Sequence, residues 1–367
     1  MTARKVTASA IAAIAAAGLA ACGSSSSDTS TAANTGGVNA PSGTINGAGS
    51  TLAAPVYQQW GSNLKGKGIS LNYAAVGSGG GVAQWTAGTA DFGASDPSLQ
   101  PADKSAAKKK GDPVQIPTVL GAITVSYNVS GVDKGLKLDG KTIADIFMGT
   151  VKSWNSPEIK ALNPGANLPS TAIQVVHRSD ESGTTKGFTM FLSAYSPEWK
   201  SKIGADKTVK WPTGTGAKGN SGVAAAVKQS DGAIGYVEEA YALQNNFTYA
   251  DVKNKSGRFV EPTLASTSAA ADGITIPADL GYSAIDSPNA SAYPIASQTF
   301  VDVFKDMCKA GLQKGTAERI VAFLNYGLTG GQGVAKQLSY APLPSALQSK
   351  AQAAVKTLEC NGSPISG

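Results

Sequence analysis

Apolar and polar positions along the chain alternate between short strand-like runs and longer helix-like stretches. β-branched or alternating runs at 69–73, 114–119, 122–127, 173–176 and 232–237 predict strands. Helical spacing follows two of the polar loops, with apolar residues at Val56, Tyr57 and Trp60 and again at Phe188, Met190, Phe191 and Leu192. Strands that alternate with helices in this way predict an α/β fold.

The chain is predicted to leave one domain and later return to it. The first crossing is expected near Pro117 and the second near Pro294, because both lie in extended apolar segments. Domain I would comprise residues 43–117 and 295–361, and domain II residues 118–294. This arrangement gives a two-lobed architecture with two hinge crossings and a ligand cleft between the lobes. Residues 266–273 contain few large apolar side chains, and we expect them to form a surface excursion.

The N-terminal segment has the features of an export signal. Arg4 and Lys5 precede an apolar run at 6–19, and small residues then lead to Cys22. The run is too short to span a bilayer, and the pattern resembles a bacterial lipoprotein signal. Residues 1–21 would be removed, and Cys22 would carry the acyl chains that hold the protein outside the cytoplasmic membrane. Residues 22–42 are Ser, Thr, Ala, Asn and Gly-rich and predict a flexible tether.

An exported protein can form disulfides, and two cysteines remain after Cys22. Cys308 and Cys360 could form a bridge that fastens the C-terminal tail to the body of the protein. Two separate buried thiols are the alternative.

Composition argues against several function classes. The 367 residues are 42% hydrophobic, which is sufficient for two packed domains, and the net charge of +6 comes from a chain in which only 15% of residues are charged. The densest basic run, Lys108–Lys110, predicts the solvated end of a helix, and no basic stripe with interleaved aromatics suggests nucleic-acid binding. One histidine and the two cysteines that follow Cys22 leave little for a catalytic metal site.

The most informative loop follows the strand at 173–176. It contains Arg178 and Asp180, and Ser182, Gly183 and Thr184 open a helix. Unpaired N–H groups at a helix start, together with a guanidinium fork, are suited to a bound oxyanion. Asp180 is close enough in sequence to orient that fork. An ordinary helix cap beside a surface Arg–Asp pair is the alternative.

Two further glycine-rich loops and one aspartate follow other predicted strands. The loops span 47–55 and 76–82, and Asp96 ends the segment 90–96. Asp96 alone is compatible with a helix N-cap. Because ligands of α/β sheets bind beyond the carboxyl ends of strands, the repeated loops favour a binding site.

The ordered set of motifs resembles the phosphate-binding lipoprotein of the bacterial phosphate-specific ABC transporter. The resemblance covers residues 43–362 and is carried by GAGSTL at 47–52, VGSGGGV at 76–82, DFGASD at 91–96, RSDESGT at 178–184 and GAKGN at 216–220. It implies a two-lobed binding protein that closes on inorganic phosphate and delivers it to membrane permease subunits. It implies no enzyme activity and no cofactor, and we expect a monomer.

The resemblance also implies roles for individual residues. The expected phosphate ligands are Thr51, the Leu52 backbone N–H, Ser78, Asp96, Arg178, Ser182, Gly183 and Thr184, and Asp180 is the expected orienting partner of Arg178. Asp96 would accept a hydrogen bond from the proton that phosphate carries and sulfate lacks. Gly79 stands where many relatives have a serine, and Leu52 where they often have phenylalanine.

Other functions are compatible with parts of the sequence. A binding protein for another tetrahedral oxyanion, or a phosphate sensor, would use the same residue types. An exported serine hydrolase or phosphatase would need the single histidine, His177, but the chain has no Gly-x-Ser-x-Gly motif and strand alternation would turn His177 away from Arg178. We therefore interpret His177 as a structural or surface residue.

Overall fold

A nine-stranded mixed sheet runs through the centre of the protein. The computed structural model describes residues 40–365. The strands are β1 (Gly43–Gly49), β2 (Ile69–Ala74), β3 (Phe92–Ser95), β4 (Pro113–Asn128), β5 (Lys137–Leu138), β6 (Gln174–Arg178), β7 (Thr215–Ala217), β8 (Ala233–Glu238), β9 (Thr248–Tyr249), β10 (Asp251–Lys253), β11 (Phe259–Val260), β12 (Ala296–Phe304), β13 (Glu359–Cys360) and β14 (Ser363–Pro364). The helices are α1 (Ala54–Lys65), α2 (Ser78–Ala87), α3 (Pro101–Ala107), α4 (Gly140–Phe147), α5 (Pro157–Leu162), α6 (Gly183–Tyr195), α7 (Pro197–Lys202), α8 (Gly219–Gln229), α9 (Glu239–Gln244), α10 (Leu264–Ala269), α11 (Lys314–Gly327), α12 (Gly330–Gln337) and α13 (Ser345–Val355).

The sheet contains two parallel groups joined by antiparallel strands. Its order is β2-β1-β3-β12-β4-β8-β6-β7, with β9 paired to β4. In one group β1 is parallel to β2 and β3, and in the other β6 is parallel to β7 and β8. The loops at the carboxyl ends of each group therefore come from neighbouring strands, which is where α/β sheets place ligand sites.

Strand β4 connects the two groups. It pairs with β12 through residues 113–122 and with β8 through residues 123–128. Residues 115–127 are all buried, and the strands predicted at 114–119 and 122–127 are parts of this one strand. Pro117 lies inside β4, opposite the register shift between Thr299 and Phe300. The domain limits at 117/118 and 294/295 stay a prediction.

Aromatic side chains fill the core beside the first parallel group. Tyr57 and Trp60 of α1 are fully buried, and their rings lie 5.8 and 5.9 Å from the ring of Phe323 in α11. The indole of Trp60 donates a hydrogen bond to the carbonyl of Gly331 at 2.9 Å. Each buried aromatic side chain contributes on the order of 2 kcal/mol of apolar transfer free energy, so these contacts hold α1 against α11 and α12. The helical spacing predicted for Val56, Tyr57 and Trp60 is confirmed.

The two glycine-rich segments differ from the predicted loops. Strand β1 continues through Gly49, and α2 begins at Ser78, so Gly79–Gly81 are helical. The reason is a close approach of helix to strand, because a Cβ on Gly81 would lie 2.3 Å from the Cα of Gly49. These glycines serve packing between backbones as well as turn formation.

The surface excursion predicted at 266–273 is found only at residues 272 and 273, and the prediction was wrong for residues 266–271. Residues 264–269 form α10, and Ser266, Thr267, Ala270 and Ala271 are buried. Thr263 caps the helix by accepting from the N–H of Ser266, whose hydroxyl accepts in turn from the N–H of Thr263. This reciprocal cap satisfies the polar groups of a segment that apolar content alone does not identify as buried.

The C-terminal tail is attached by a covalent bond and by one carboxylate. Cys308 and Cys360 form a disulfide. The carboxylate of Asp306 accepts hydrogen bonds from the N–H groups of Lys309, Asn361 and Gly362. Although desolvation opposes ionisation, these bonds lower the pKa of Asp306 to about 2. The tail is therefore held at two neighbouring points.

The N-terminal predictions cannot be compared with the fold, because residues 1–21 and Cys22 lie outside the described range. Within residues 40–365, none of the helices has the length and apolar character needed to cross a membrane.

Candidate anion-binding site

The predicted ligand residues lie at the carboxyl ends of β1, β3 and β6 and at the start of α2. Thr51 and Leu52 follow β1, Ser78 opens α2, and Asp96 follows β3. Arg178 ends β6, and Ser182–Thr184 form the start of α6. All eight predicted ligand residues are buried. The fold thus brings segments from both parallel groups of the sheet to one location.

Arg178 is a buried cation whose orientation is fixed by Asp180. Its side chain is 1% exposed, and its Nε and Nη2 donate to the two carboxylate oxygens of Asp180 at 2.7 and 2.5 Å. Asp180 also accepts from the N–H of Gly219 at 3.0 Å. Burial alone would raise the pKa of Asp180, but the hydrogen bonds and charge of Arg178 outweigh it and lower that pKa. The guanidinium therefore keeps its remaining N–H donors for another acceptor.

Asp96 is a further ionisable group in the same cluster. It does not cap a helix, because α3 begins at Pro101 after an N-cap at Gln100. Its Oδ1 accepts from the hydroxyls of Ser50 at 2.5 Å and Thr299 at 3.0 Å. Its Oδ2 lies 3.4 Å from the hydroxyl of Ser78. Burial raises the pKa of Asp96 to about 6, against the lowering effect of these hydroxyls and of the Arg178 charge.

The start of α6 packs directly on Asp96. A Cβ on Gly183 would lie 2.4 Å from Oδ2 of Asp96 and 2.3 Å from the hydroxyl oxygen of Ser78. Ser182 caps the helix by accepting from the N–H of Thr185 at 3.0 Å. A helix N-terminus, where backbone N–H groups lack intrahelical partners, therefore adjoins the carboxylate and Ser78. Only glycine fits at position 183.

Asn220 connects two of the predicted ligand residues, Thr51 after β1 and Thr184 in α6. It was not itself among the predicted ligands. Its side-chain amide donates to the hydroxyl oxygens of Thr51 at 2.8 Å and Thr184 at 3.2 Å. Its carbonyl oxygen accepts from the N–H of Glu238 at 3.0 Å. Thr184 is also 3.4 Å from Nη1 of Arg178. The GAKGN motif at 216–220 was the sequence signal for Asn220, since it belongs to the resemblance already described.

Two other residues near the site had weaker signals. Ser50 lies in the GAGSTL motif, but its contact with Asp96 is invisible in the local pattern. Thr299 lies on β12, which carries none of the motifs. Both are fully buried, and the hydroxyl of each donates a hydrogen bond to the carboxylate of Asp96.

His177 is a packing residue in this arrangement. Its ring stacks on Trp211 with centroids 4.7 Å apart, and its Nδ1 is 3.0 Å from the carbonyl oxygen of Arg178. Burial lowers its pKa. The described contacts of His177 thus give it no nucleophilic serine to activate, in agreement with its structural interpretation.

The described cluster combines a buried guanidinium held by Asp180, a helix start, several hydroxyls and the carboxylate of Asp96. Such a set suits a small oxyanion that both accepts and donates hydrogen bonds. The class defined by this fold and site is an oxyanion-binding protein of the α/β type.

Comparison with known proteins identifies the family. Residues 32–327 match the model of the PBP superfamily domain. The chain is 42% identical over 318 residues to the phosphate-binding protein PstS of Pasteurella multocida. This alignment covers 86% of this chain and 90% of that protein. It is 40% identical over 322 residues to the phosphate-binding protein PstS of Haemophilus influenzae, with coverages of 87% and 94%. The chain therefore belongs to the PBP superfamily and, within it, to the family of the PstS proteins.

A solved structure supports the same fold. A high-affinity periplasmic phosphate-binding protein bound with phosphate at pH 8.5 superimposes with a TM-score of 0.69 at 22% identity, covering 85% of this chain and 93% of that one. This confirms the predicted periplasmic-binding-protein-like α/β fold. The matched relatives are named as phosphate-binding proteins, so the family to which the chain belongs is one of binding proteins and not of hydrolases.

Proposed function

We propose that this chain binds inorganic phosphate outside the cytoplasmic membrane and delivers it to an ABC transporter for import. The observation that carries the proposal is that one cluster contains both a buried Arg178, oriented by Asp180, and a buried Asp96. A cation alone would suit any oxyanion. A carboxylate beside it favours an oxyanion that brings its own proton.

Each predicted ligand residue has a chemical role in this proposal. Arg178 and the N–H groups at the start of α6 donate to phosphate oxygens. Hydroxyls of Thr51, Ser78 and Thr184 add donors, and Leu52 contributes its backbone N–H. Ser182 holds the start of α6 by its cap, and Asp180 holds Arg178. Asp96 accepts a hydrogen bond from the proton that phosphate carries.

The function is tested by calorimetry and thermal shift on the purified full-length chain. Phosphate and arsenate should bind and raise the melting temperature, whereas sulfate and molybdate should not at neutral pH. No uptake of phosphate, or equal binding of sulfate, would contradict the proposal. A chromogenic phosphate ester should not be turned over.

The two predicted lobes are proposed to close on the ion as a hinge. Contacts between the predicted domains run through the site, since the N–H of Gly79 donates to the Glu181 carbonyl and the Tyr241 hydroxyl to the Thr51 carbonyl. We expect small-angle scattering to record a smaller radius of gyration when phosphate is added. An unchanged scattering curve at saturating phosphate would contradict hinge closure without affecting the assignment of the ligand.

The absence of a side chain at Gly79 is expected to allow the two predicted lobes to approach each other closely in the closed state. A Cβ at position 79 would lie 2.5 Å from the Cβ and 1.9 Å from Oε2 of Glu181. Gly79→Ala should therefore weaken phosphate binding by about tenfold, because a close contact of this kind costs on the order of 1–3 kcal/mol. Titration calorimetry would measure the change.

The same contact supplies the controls for that variant. Glu181→Gly in the Gly79→Ala background should restore part of the affinity, since both clashing atoms are removed. Gly80→Ala is a matched control in the same helix, where a Cβ would meet only the Val76 side chain at 3.1 Å or more. If Gly79→Ala binds phosphate as tightly as Gly80→Ala does, the contact has no role in closure.

The membrane attachment is proposed from the sequence. Lipidation of Cys22 and a tether to residue 42 would hold the binding unit at the cell membrane, as a monomer, within reach of the permease subunits. Mass spectrometry of the exported protein should find acyl chains on Cys22, and Cys22→Ala should release the protein from the membrane fraction.

A further inference from the structure

Ser50 occupies a position in which the direction of its hydroxyl hydrogen is determined. The N–H of Ala53 donates to its oxygen at 3.1 Å. The same oxygen lies 2.5 Å from Oδ1 of Asp96. Because a backbone N–H can only donate, the serine hydrogen is left free to point at the carboxylate. Ser50 is fully buried, so water does not compete for this bond.

The two oxygens of Asp96 are consequently unequal. Oδ1 accepts from both Ser50 and Thr299, whereas Oδ2 has only the long 3.4 Å approach of Ser78. Ser78 accepts in turn from the N–H of Asp96 at 3.2 Å. Oδ2 is also the oxygen that faces Gly183 at the start of α6. The oxygen with unused acceptor capacity is thus the one turned toward the predicted ligand loop.

We propose that Ser50 is a positioning residue that holds Asp96 ionised and directs its Oδ2 to the proton of the bound ion, and thereby sets selectivity against sulfate. The inference rests on the proposed function and deepens it. Sulfate carries no proton and is rejected by an ionised carboxylate. A protonated Asp96 could instead donate to sulfate, so the protonation state decides the selectivity.

The charges around Asp96 allow Ser50 this influence. Burial raises the pKa of Asp96 to about 6, and the Ser50 hydrogen bond is the largest effect opposing that rise, ahead of Thr299, Arg178 and Ser78. Other titratable groups that interact with this carboxylate are Tyr57, Tyr73, Glu238, Tyr241, Asp302 and Tyr340. Burial raises the pKa of each, to about 8 for Asp302, which opposes a negative charge on these groups. The positive charge of Arg178 acts in the other direction and lowers the pKa of Asp96.

The test is sulfate and phosphate binding to the full-length chain between pH 5 and pH 8. In the parent protein, sulfate binding should appear as the pH falls through about 6, because Asp96 becomes protonated there. Ser50→Ala removes a donor to the charged form, so the pKa of Asp96 rises. The midpoint for sulfate binding should move up by about one pH unit, and the phosphate-to-sulfate ratio at pH 7 should fall about tenfold.

Thr299→Val should shift the midpoint in the same direction, since it removes the other donor to Oδ1. Ser95→Ala is the matched control. Ser95 is the buried residue next to Asp96 in the chain, and its hydroxyl donates to the Pro97 carbonyl at 2.8 Å and not to the Asp96 carboxylate. Its midpoint should not move. Melting temperatures of all variants, measured without anions, report whether each one folds.

The outcomes separate this inference from the proposed function. If the parent binds no phosphate, the proposed function fails. If the parent binds phosphate and excludes sulfate but Ser50→Ala keeps the parent's pH midpoint, the inference alone is overturned. Equal loss of phosphate and sulfate affinity with an unmoved midpoint would also overturn it, because a purely structural role predicts that result.

Discussion

Replacing Arg178 by methionine should weaken phosphate binding by roughly 30-fold to several thousandfold. This range corresponds to about 2–5 kcal/mol, the usual cost of removing one partner from a desolvated pair of charges. Methionine retains much of the arginine stem, so the loss reports the guanidinium. Titration calorimetry at neutral pH measures the change directly.

Arg178→Lys distinguishes charge from geometry. Lysine keeps the positive charge but cannot donate to Asp180 through two parallel bonds and to an anion at the same time. Its phosphate affinity should fall between those of the parent and Arg178→Met. Equal affinities of Arg178→Lys and the parent would show that the fork has no special role.

Stability must be separated from binding in these variants. Removing Arg178 leaves Asp180, whose side chain is 12% exposed, without its cationic partner, and the unliganded protein should melt at a lower temperature. Asp180→Asn in the Arg178→Met background should recover stability but not binding. Arg319→Met is a control distant from the site, since Arg319 donates to the carbonyls of Ser42 and Thr44. Its phosphate affinity should equal that of the parent.

The second large effect is expected for Asp96→Asn, in the binding of sulfate. Asparagine keeps an acceptor for Ser50 and Thr299 and presents N–H donors where Oδ2 now faces Gly183. A buried contact that leaves an acceptor unmatched can reject a near-isosteric ligand by roughly 10⁴-fold. The variant should therefore lose at least about 100-fold of the phosphate-to-sulfate ratio, mostly through a gain of sulfate affinity.

The pH dependence gives this prediction a second readout. Sulfate binding to the parent should rise as the pH falls through about 6, because the pKa of Asp96 is raised to about that value. Asparagine does not titrate in this range, so sulfate binding to Asp96→Asn should be nearly independent of pH. Asp302→Asn is a comparison variant, since Asp302 is another fully buried carboxyl group and accepts from Gln115 at 3.1 Å. Unchanged sulfate exclusion in Asp96→Asn would refute the role of Asp96.

Local patterns were sufficient for the elements that carry the site. The run ending at 176 predicted the strand β6, and Ser182 predicted the start of α6, which begins at Gly183. Both follow from short-range physics: β-branched residues favour strands, and a serine oxygen satisfies a free N–H at a helix start. The presence of Arg178 and Asp180 in that loop was likewise readable from order along the chain.

Contacts between distant residues were not readable in this way. Ser50 and Asp96 are separated by 46 positions, Thr51 and Asn220 by 169, and Asp96 and Thr299 by 203. No periodicity links such pairs. Only the order of strands in the sheet makes them neighbours, which is why Ser50, Asn220 and Thr299 were absent from the predicted set.

The sequence by itself determined the α/β class, the helix start beside Arg178 and the chemical types of the predicted ligands, because propensity, capping and residue chemistry act over a few positions. The tertiary structure decided which hydroxyls surround Asp96, why Gly81 and Gly183 must lack a side chain, and that Ser266 and Thr267 of α10 are buried. Those properties depend on which backbones approach each other closely, and that approach is a result of packing the whole sheet and its helices.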